Sequence, residues 1–150
     1  LDNKDQSEFW KSFRVGRRAR IIERDVTMEL DCISVSASHD GYARLTGKPI
    51  HNRNFFIAEK KIEVRDAIVG GAGQKATSRF LIAPDIQVHQ LDGQFFLKGR
   101  KFKILIKSNY PIVIEESICF LEFGNISKTK QIIIDFGYAP CDCKTTFIVC

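Results

Sequence analysis

Two histidines, a tyrosine, two arginines and an aspartate fall close together in this chain, in His39-Asp40-Gly41-Tyr42-Ala43-Arg44-Leu45 and the following His51-Asn52-Arg53. Imidazole and phenol carry protons when their surroundings tune them, and guanidinium neutralises carboxylates. Such residues on a loop held by a rigid scaffold are a pattern of working sites. The same residues also make an anchored turn, with Gly41 for the bend, Tyr42 packing, and Arg44 and Arg53 tying carboxylates. The anchored turn is the favoured reading.

Asp66 sharpens this picture. Alternation through Ile62, Val64 and Ile68 places it in the inward row of a strand. A carboxylate there must be paired or heavily hydrogen-bonded, so Asp66 is read as a structural buried carboxylate with Arg53 or Arg44 as its partner.

Metal chemistry has little support. His39, His51 and His89 show no tight ligand spacing, and zinc takes three or four ligands. Cys141-Asp142-Cys143 puts two thiols on one face of a strand, with Cys150 nearby, but lacks a second pair at zinc-ribbon spacing. Two small core side chains are the simpler reading, and no metal site is assigned.

Two basic runs remain. Lys98, Arg100, Lys101, Lys103 and Lys107 read as a solvated strand face, with Phe102 on the opposite face. Arg14, Arg17, Arg18 and Arg20 are denser, and suit an anionic polymer or a neighbouring domain.

The elements that must position these groups have a period of two almost throughout. Ile33, Val35 and Ala37 alternate with Ser34, Ser36 and Ser38; Ile104 and Ile106, then Ile132, Ile134 and Phe136, continue the pattern. Such alternation marks half-buried antiparallel strands. Asp92-Gly93, Gly99-Arg100 and Glu59-Lys60 read as hairpin turns, Gly70-Gly71-Ala72-Gly73 as a loop, and Asn109-Tyr110-Pro111 as a break. No window shows a helical period. The expectation is an all-β chain, an antiparallel two-sheet β-sandwich of about ten strands, with residues 1–16 as a lead-in from an upstream domain and 17–150 as the sandwich.

At 150 residues and 17.1 kDa, with 44% hydrophobic and 27% charged residues, the chain has the balance of one globular domain. Disordered, collagen-like and coiled-coil classes are excluded. No apolar run approaches the roughly 20 residues that span a bilayer. Net charge +5 favours polyanions in general. Five cysteines form no familiar disulfide framework. The chain opens on Leu1 and is read as a processed product or a fragment.

Taken in order, Asp5-Gln6-Ser7-Glu8-Phe9-Trp10, Phe13-Arg14-Val15-Gly16-Arg17-Arg18-Ala19, His39 to Leu45, His51-x-Arg53 and Val64-x-Asp66-x-Ile68-x-Gly70 resemble the C-terminal β portion of the heparinase II/III-like polysaccharide lyases. The recognisable motifs cover roughly residues 2 to 84. The resemblance implies a parent enzyme with an N-terminal helical toroid followed by a β-sandwich. The parent would cleave uronate-containing acidic polysaccharide by β-elimination, in a periplasm or outside the cell. It also implies that the catalytic residues, and any divalent metal of the parent, lie upstream. This chain would then hold no catalytic residue and no cofactor, and would be inactive alone. Arg14, Arg17, Arg18, His39, Tyr42, Arg44, His51 and Arg53 carry over as family positions for saccharide or interdomain contact. The alternative is a stand-alone, non-catalytic carbohydrate-binding or adhesion sandwich. Nucleic-acid binding is a third reading and is not adopted, because exposed aromatics are not interleaved with the basic residues.

Overall fold

A computed structural model describes residues 1–10, 14–122 and 124–150; Phe13, one of the motif positions above, lies outside them. Among the described residues there are thirteen strands and no helix. They run β1 (Glu8–Phe9), β2 (Val15–Arg17), β3 (Ile21–Met28), β4 (Cys32–His39), β5 (Ile50–Ala58), β6 (Lys61–Val69), β7 (Lys75–Leu81), β8 (Gln87–Leu91), β9 (Gln94–Lys98), β10 (Lys103–Ser108), β11 (Val113–Glu122), β12 (Asn125–Tyr138) and β13 (Cys141–Val149). An eight-stranded sheet in the order β3-β4-β5-β6-β13-β10-β9-β8 faces a three-stranded sheet in the order β11-β12-β7, and β1 pairs with β2. Every pairing is antiparallel. The architecture is an all-β sandwich.

The extra strands beyond about ten have a physical source. β1 and β2 are too short to show alternation. β3 is an edge strand exposed along its whole length, so burial imposes no period on its sequence. β2 runs through position 16, where the sequence suggested a boundary.

The turns follow their chemistry. Asp92 and Gly93 both adopt positive φ, the two-residue turn that matches strand twist. Glu59 and Lys60 close β5 onto β6. Gly99-Arg100 is only half of its turn. The connection spans residues 99–102, closed by the Gly99 amide donating to the Phe102 carbonyl at 3.0 Å, and strand pairing resumes at Lys98 opposite Lys103. Phe102 is therefore a turn residue, and the alternation drawn through it from the sequence does not apply.

The core lies between the sheets. Ile132, Ile134 and Phe136 of β12 and Ala76 of β7 pack on Ile68 of β6, Cys143 of β13 and Ile106 of β10. Each fully buried isoleucine contributes about 1.5–3 kcal/mol. The small sheet thus covers the middle of the large one. Farther out, the same inner face of β3–β5 carries Val26, Val35 and Phe55 in one row and Met28, Ile33 and Ile57 in the next, as the strand register requires. Val26 is 49% exposed and Met28 74%. That apolar stretch opens to solvent at its β3 end, while Ile33, Val35, Phe55 and Ile57 are half-buried. Among the described residues no helix is long and apolar enough to cross a membrane.

Candidate functional site

The polar cluster sits where β4, β5 and β6 pass beneath β7. Register puts His39 opposite His51, and Arg53 opposite Asp66. Side chains two apart on a strand share a face, so His51 and Arg53 point inward together, as do Asp66 and Ile68. Asp66 is 2% exposed. The Arg53 guanidinium grips it with two bonds, Nε to Oδ1 at 2.6 Å and Nη2 to Oδ2 at 2.9 Å. His51 Nε2 reaches Oδ1 at 2.7 Å, and the Ser78 hydroxyl donates to Oδ2 at 2.8 Å. Ser78 belongs to β7, so this carboxylate ties the two sheets together.

The bond directions fix the histidine tautomers. The Gly41 amide donates to His39 Nδ1 at 3.1 Å, which leaves the His39 proton on Nε2. That proton is directed at His51 Nδ1, 3.0 Å away. His51 then carries its own proton on Nε2, directed at Asp66. The chain runs one way, from the Gly41 amide through two neutral imidazoles to the carboxylate. Protonating either ring would set two N–H groups against each other.

The titration behaviour agrees. Burial pushes His39 down to about 4. Burial on its own would raise the Asp66 carboxyl, but bonds from His51 and Arg53, together with the Arg53 charge, hold it well below the usual carboxylate range. Burial also pushes the Tyr42 phenol up.

Arg44, the other partner considered for Asp66, points elsewhere. Its guanidinium donates to the carbonyls of Gln6 (3.1 Å), Asp5 and Gly41, and its Nε lies 3.3 Å from Glu8. It straps the Asp5-to-Glu8 segment onto the Gly41 loop. Gly41 is required for that approach, since a β-carbon there would sit 2.6 Å from the Gln6 carbonyl oxygen. Further bonds hold the segment: the Asp2 amide donates to the Lys75 carbonyl and the Ser7 hydroxyl accepts from the Ala19 amide.

Tyr42 lies against His39, with ring centroids 5.7 Å apart. Beside it is a cavity of about 130 Å3 lined by Gln6, Tyr42, His51, Arg53, Ser78 and Arg79. Small-molecule sites usually offer about 300–1,000 Å3, so this one suits a few waters rather than a sugar ring. No ring nitrogen of His39 or His51 is left open to take a substrate proton or a metal. Among the described residues no three His, Cys, Asp or Glu side chains converge as metal ligands, and no buried side-chain nitrogen or oxygen lacks a partner. The arrangement is a closed hydrogen-bond network.

The remaining candidates disperse. Arg14, Arg17 and Arg18 are exposed on or beside the β1–β2 pair, with Arg17 across from Glu8, and none of them joins the bonds to Asp66. His89 stands on β8, at the far edge of the large sheet from His39 and His51. Cys143 is in the core and Cys141 half-buried, and burial pushes both thiols up, against the thiolate a metal would need. Lys98, Arg100, Lys101 and Lys103 gather around one groove with Phe102, because the turn ends two residues later than the alternation suggested. One member of the central cluster was not singled out from the sequence. Ser78 had a usable signal, the alternation of Ala76, Ser78 and Phe80 against Thr77 and Arg79. Glu8 was marked only as a position of the Asp5-to-Trp10 motif, with no pointer to Arg44.

No curated protein sequence matches the chain. Among solved structures, it superposes on the heparinase III BT4657 gene product with a TM-score of 0.70 at 10% identity, over 89% of this chain and 22% of that one. The heparan sulfate lyase HepC from Pedobacter heparinus gives a TM-score of 0.64 at 12% identity, over 89% of this chain and 22% of that one. At such identity the likeness is one of fold, and the chain spans about a fifth of the length of those proteins. The family model "Heparinase II/III-like, C-terminal" matches residues 1–145, and the chain belongs to that family.

Proposed function

We propose that this chain is the C-terminal β-sandwich of a polysaccharide lyase whose parent enzyme cleaves uronate-containing acidic polysaccharide by β-elimination, in a periplasm or outside the cell. The observation that carries this reading is the family match over residues 1–145, since the fold alone admits many functions. The network geometry supports a scaffold role. His39, His51, Arg53 and Asp66 occupy one another, and the neighbouring cavity is too small for a saccharide. In the parent, a neutral base beside the scissile bond and a cation on the uronate carboxylate are supplied by residues outside this chain. Any divalent metal is also held there. The exposed apolar side chains Val26 and Met28 at the β3 end of the sheet support a role in which the sandwich packs against another part of a larger enzyme, such as an N-terminal helical toroid. Arg14, Arg17 and Arg18, exposed beside the β1–β2 pair, contact that neighbour or the acidic substrate.

The test is to size the native product with an antibody to this chain and to assay it. The expected result is a polypeptide several times larger than 17.1 kDa that releases unsaturated uronate ends from heparan sulfate or a related acidic glycan. A native product of this size that binds glycan without cleaving it would establish the stand-alone binding module instead.

A further inference from the structure

The β9–β10 hairpin borders an open groove of about 590 Å3, lined by Lys98, Arg100, Lys101, Lys103, Phe96 and Phe102 among others. It is remote from the Asp66 network: Asp66 pairs with Cys143 near the start of β13, whereas the hairpin borders Cys150 just past the end of that strand. Three features set it apart from a solvated basic strand. No Asp or Glu lines it, and among the described residues none of the four cations joins an ion pair. The Lys103 ammonium stands 3.9 Å from the Phe96 ring centroid, a cation–π contact that holds it over the groove floor. Phe102, 43% exposed, folds back over the turn so closely that a β-carbon on Gly99 would lie 2.5 Å from its ring. The groove therefore has an aromatic wall and four cations with no acidic side chain in its lining, and Cys150 borders it beside Lys103. Like charges around a concave, low-dielectric surface reinforce one another's field, which concentrates anionic ligands there.

We propose that this groove is a binding site for a strand of sulfated, uronate-bearing polysaccharide. Lysine and arginine together suit such a chain, arginine bridging two oxygens of one sulfate or carboxylate and lysine acting as a point charge. The exposed Phe102 ring meets the apolar face of a sugar. Nucleic acid fits less well. Phe96 is buried and covered by Lys103, which leaves Phe102 as the single exposed phenyl ring of the groove, with the His89 imidazole beside it, whereas single-strand readers stack successive bases on aromatics. The choice of a glycan rests on the proposed function; the affinity for a polyanion rests on the groove alone.

The experiment measures binding of the 150-residue chain to heparin, hyaluronan and duplex DNA at about 0.1 M salt, with far-UV circular dichroism as the folding control. Heparin should bind in a salt-dependent manner, and Arg100→Ala with Lys101→Ala should weaken it about tenfold, since two charge contacts and their released counterions are lost. Arg24→Ala, on the exposed strand β3 at the opposite edge of the large sheet, should leave heparin binding unchanged. Gly99→Ala, which displaces Phe102 without removing charge, should weaken heparin binding by a smaller factor. Hyaluronan, with carboxylates and no sulfates, should bind more weakly than heparin. Heparin binding that survives the Arg100/Lys101 double change would overturn the site, as would no binding at all. Equal affinity for hyaluronan would remove the sulfate requirement, and tighter binding of DNA would make the groove a nucleic-acid site. Failure of the native polypeptide to cleave any polysaccharide, with heparin binding intact, would reject the proposed function and leave the groove standing.

Discussion

Two polar regions of this sandwich hold opposite kinds of charge. Around Asp66 each ionisable or polar group meets a partner inside the protein, in a space of about 130 Å3. Around the β9–β10 hairpin four cations meet no acidic side chain among the described residues, beside a groove of about 590 Å3. The first region is where a reader of the sequence looks for catalysis, because its histidines, tyrosine and arginines cluster. The structure shows that clustering is also what a buried network requires. A carboxylate between two sheets needs donors on several sides, and those donors must come from neighbouring strands. Function is better sought where chemical capacity is left over.

Breaking the closed network should have the largest effect. Asp66→Ala removes the acceptor shared by Arg53, His51 and Ser78 and should cost about 3–5 kcal/mol in urea unfolding, the usual penalty for deleting one member of a buried ion pair. A loss under about 1 kcal/mol would show that the network is not structural. Next comes Arg44→Ala, which releases the strap over Asp5 to Glu8. Charge-assisted bonds of this kind are worth about 1.5–3 kcal/mol together with their partners' desolvation. Limited proteolysis should then cut within residues 2–9 well before the strands, and unchanged protection would refute the strap.

Acid should act in two separate windows. The His39 ring is neutral in the fold down to about pH 4, but in the unfolded chain it takes up its proton near 6.5. The unfolded state therefore binds more protons between those values. Stability from this group is complete above 6.5 and falls as pH drops toward 4. Asp66 has a folded value below its ordinary 3.8, so its contribution is present above 3.8 and is lost only at lower pH. Urea midpoints measured from pH 7 to 3 should show the earlier decline shrinking in His39→Gln and the later one persisting. The smallest effect belongs to the open region. Arg100→Ala with Lys101→Ala should change unfolding free energy by no more than about 0.5 kcal/mol, as for exposed residues without partners, while still lowering heparin affinity.

Much of the frame was legible because water on one side and core on the other write a period of two into a strand. Ile33, Val35 and Ala37 against three serines, and Asp66 between Val64 and Ile68, are clear cases. β3 was not legible in this way, since an edge strand exposed on both faces feels no such constraint. The choice between Arg44 and Arg53 was hidden too. It depends on register, which sets Arg53 directly across from Asp66, and on the Gly41 loop, which carries Arg44 toward Glu8. At the hairpin, the Gly99 signal located the turn but not its length. Two more turn residues moved Phe102 out of the strand alternation and onto the groove.

The most direct test of the account is a lyase assay of the 150-residue chain by itself, following the ultraviolet absorbance of unsaturated uronate with heparan sulfate present. The prediction is no product above background from a folded chain that still binds heparin. Steady formation of product that disappears in Tyr42→Phe or His51→Gln would contradict it, because the clustered residues would then be a working active site rather than a closed scaffold.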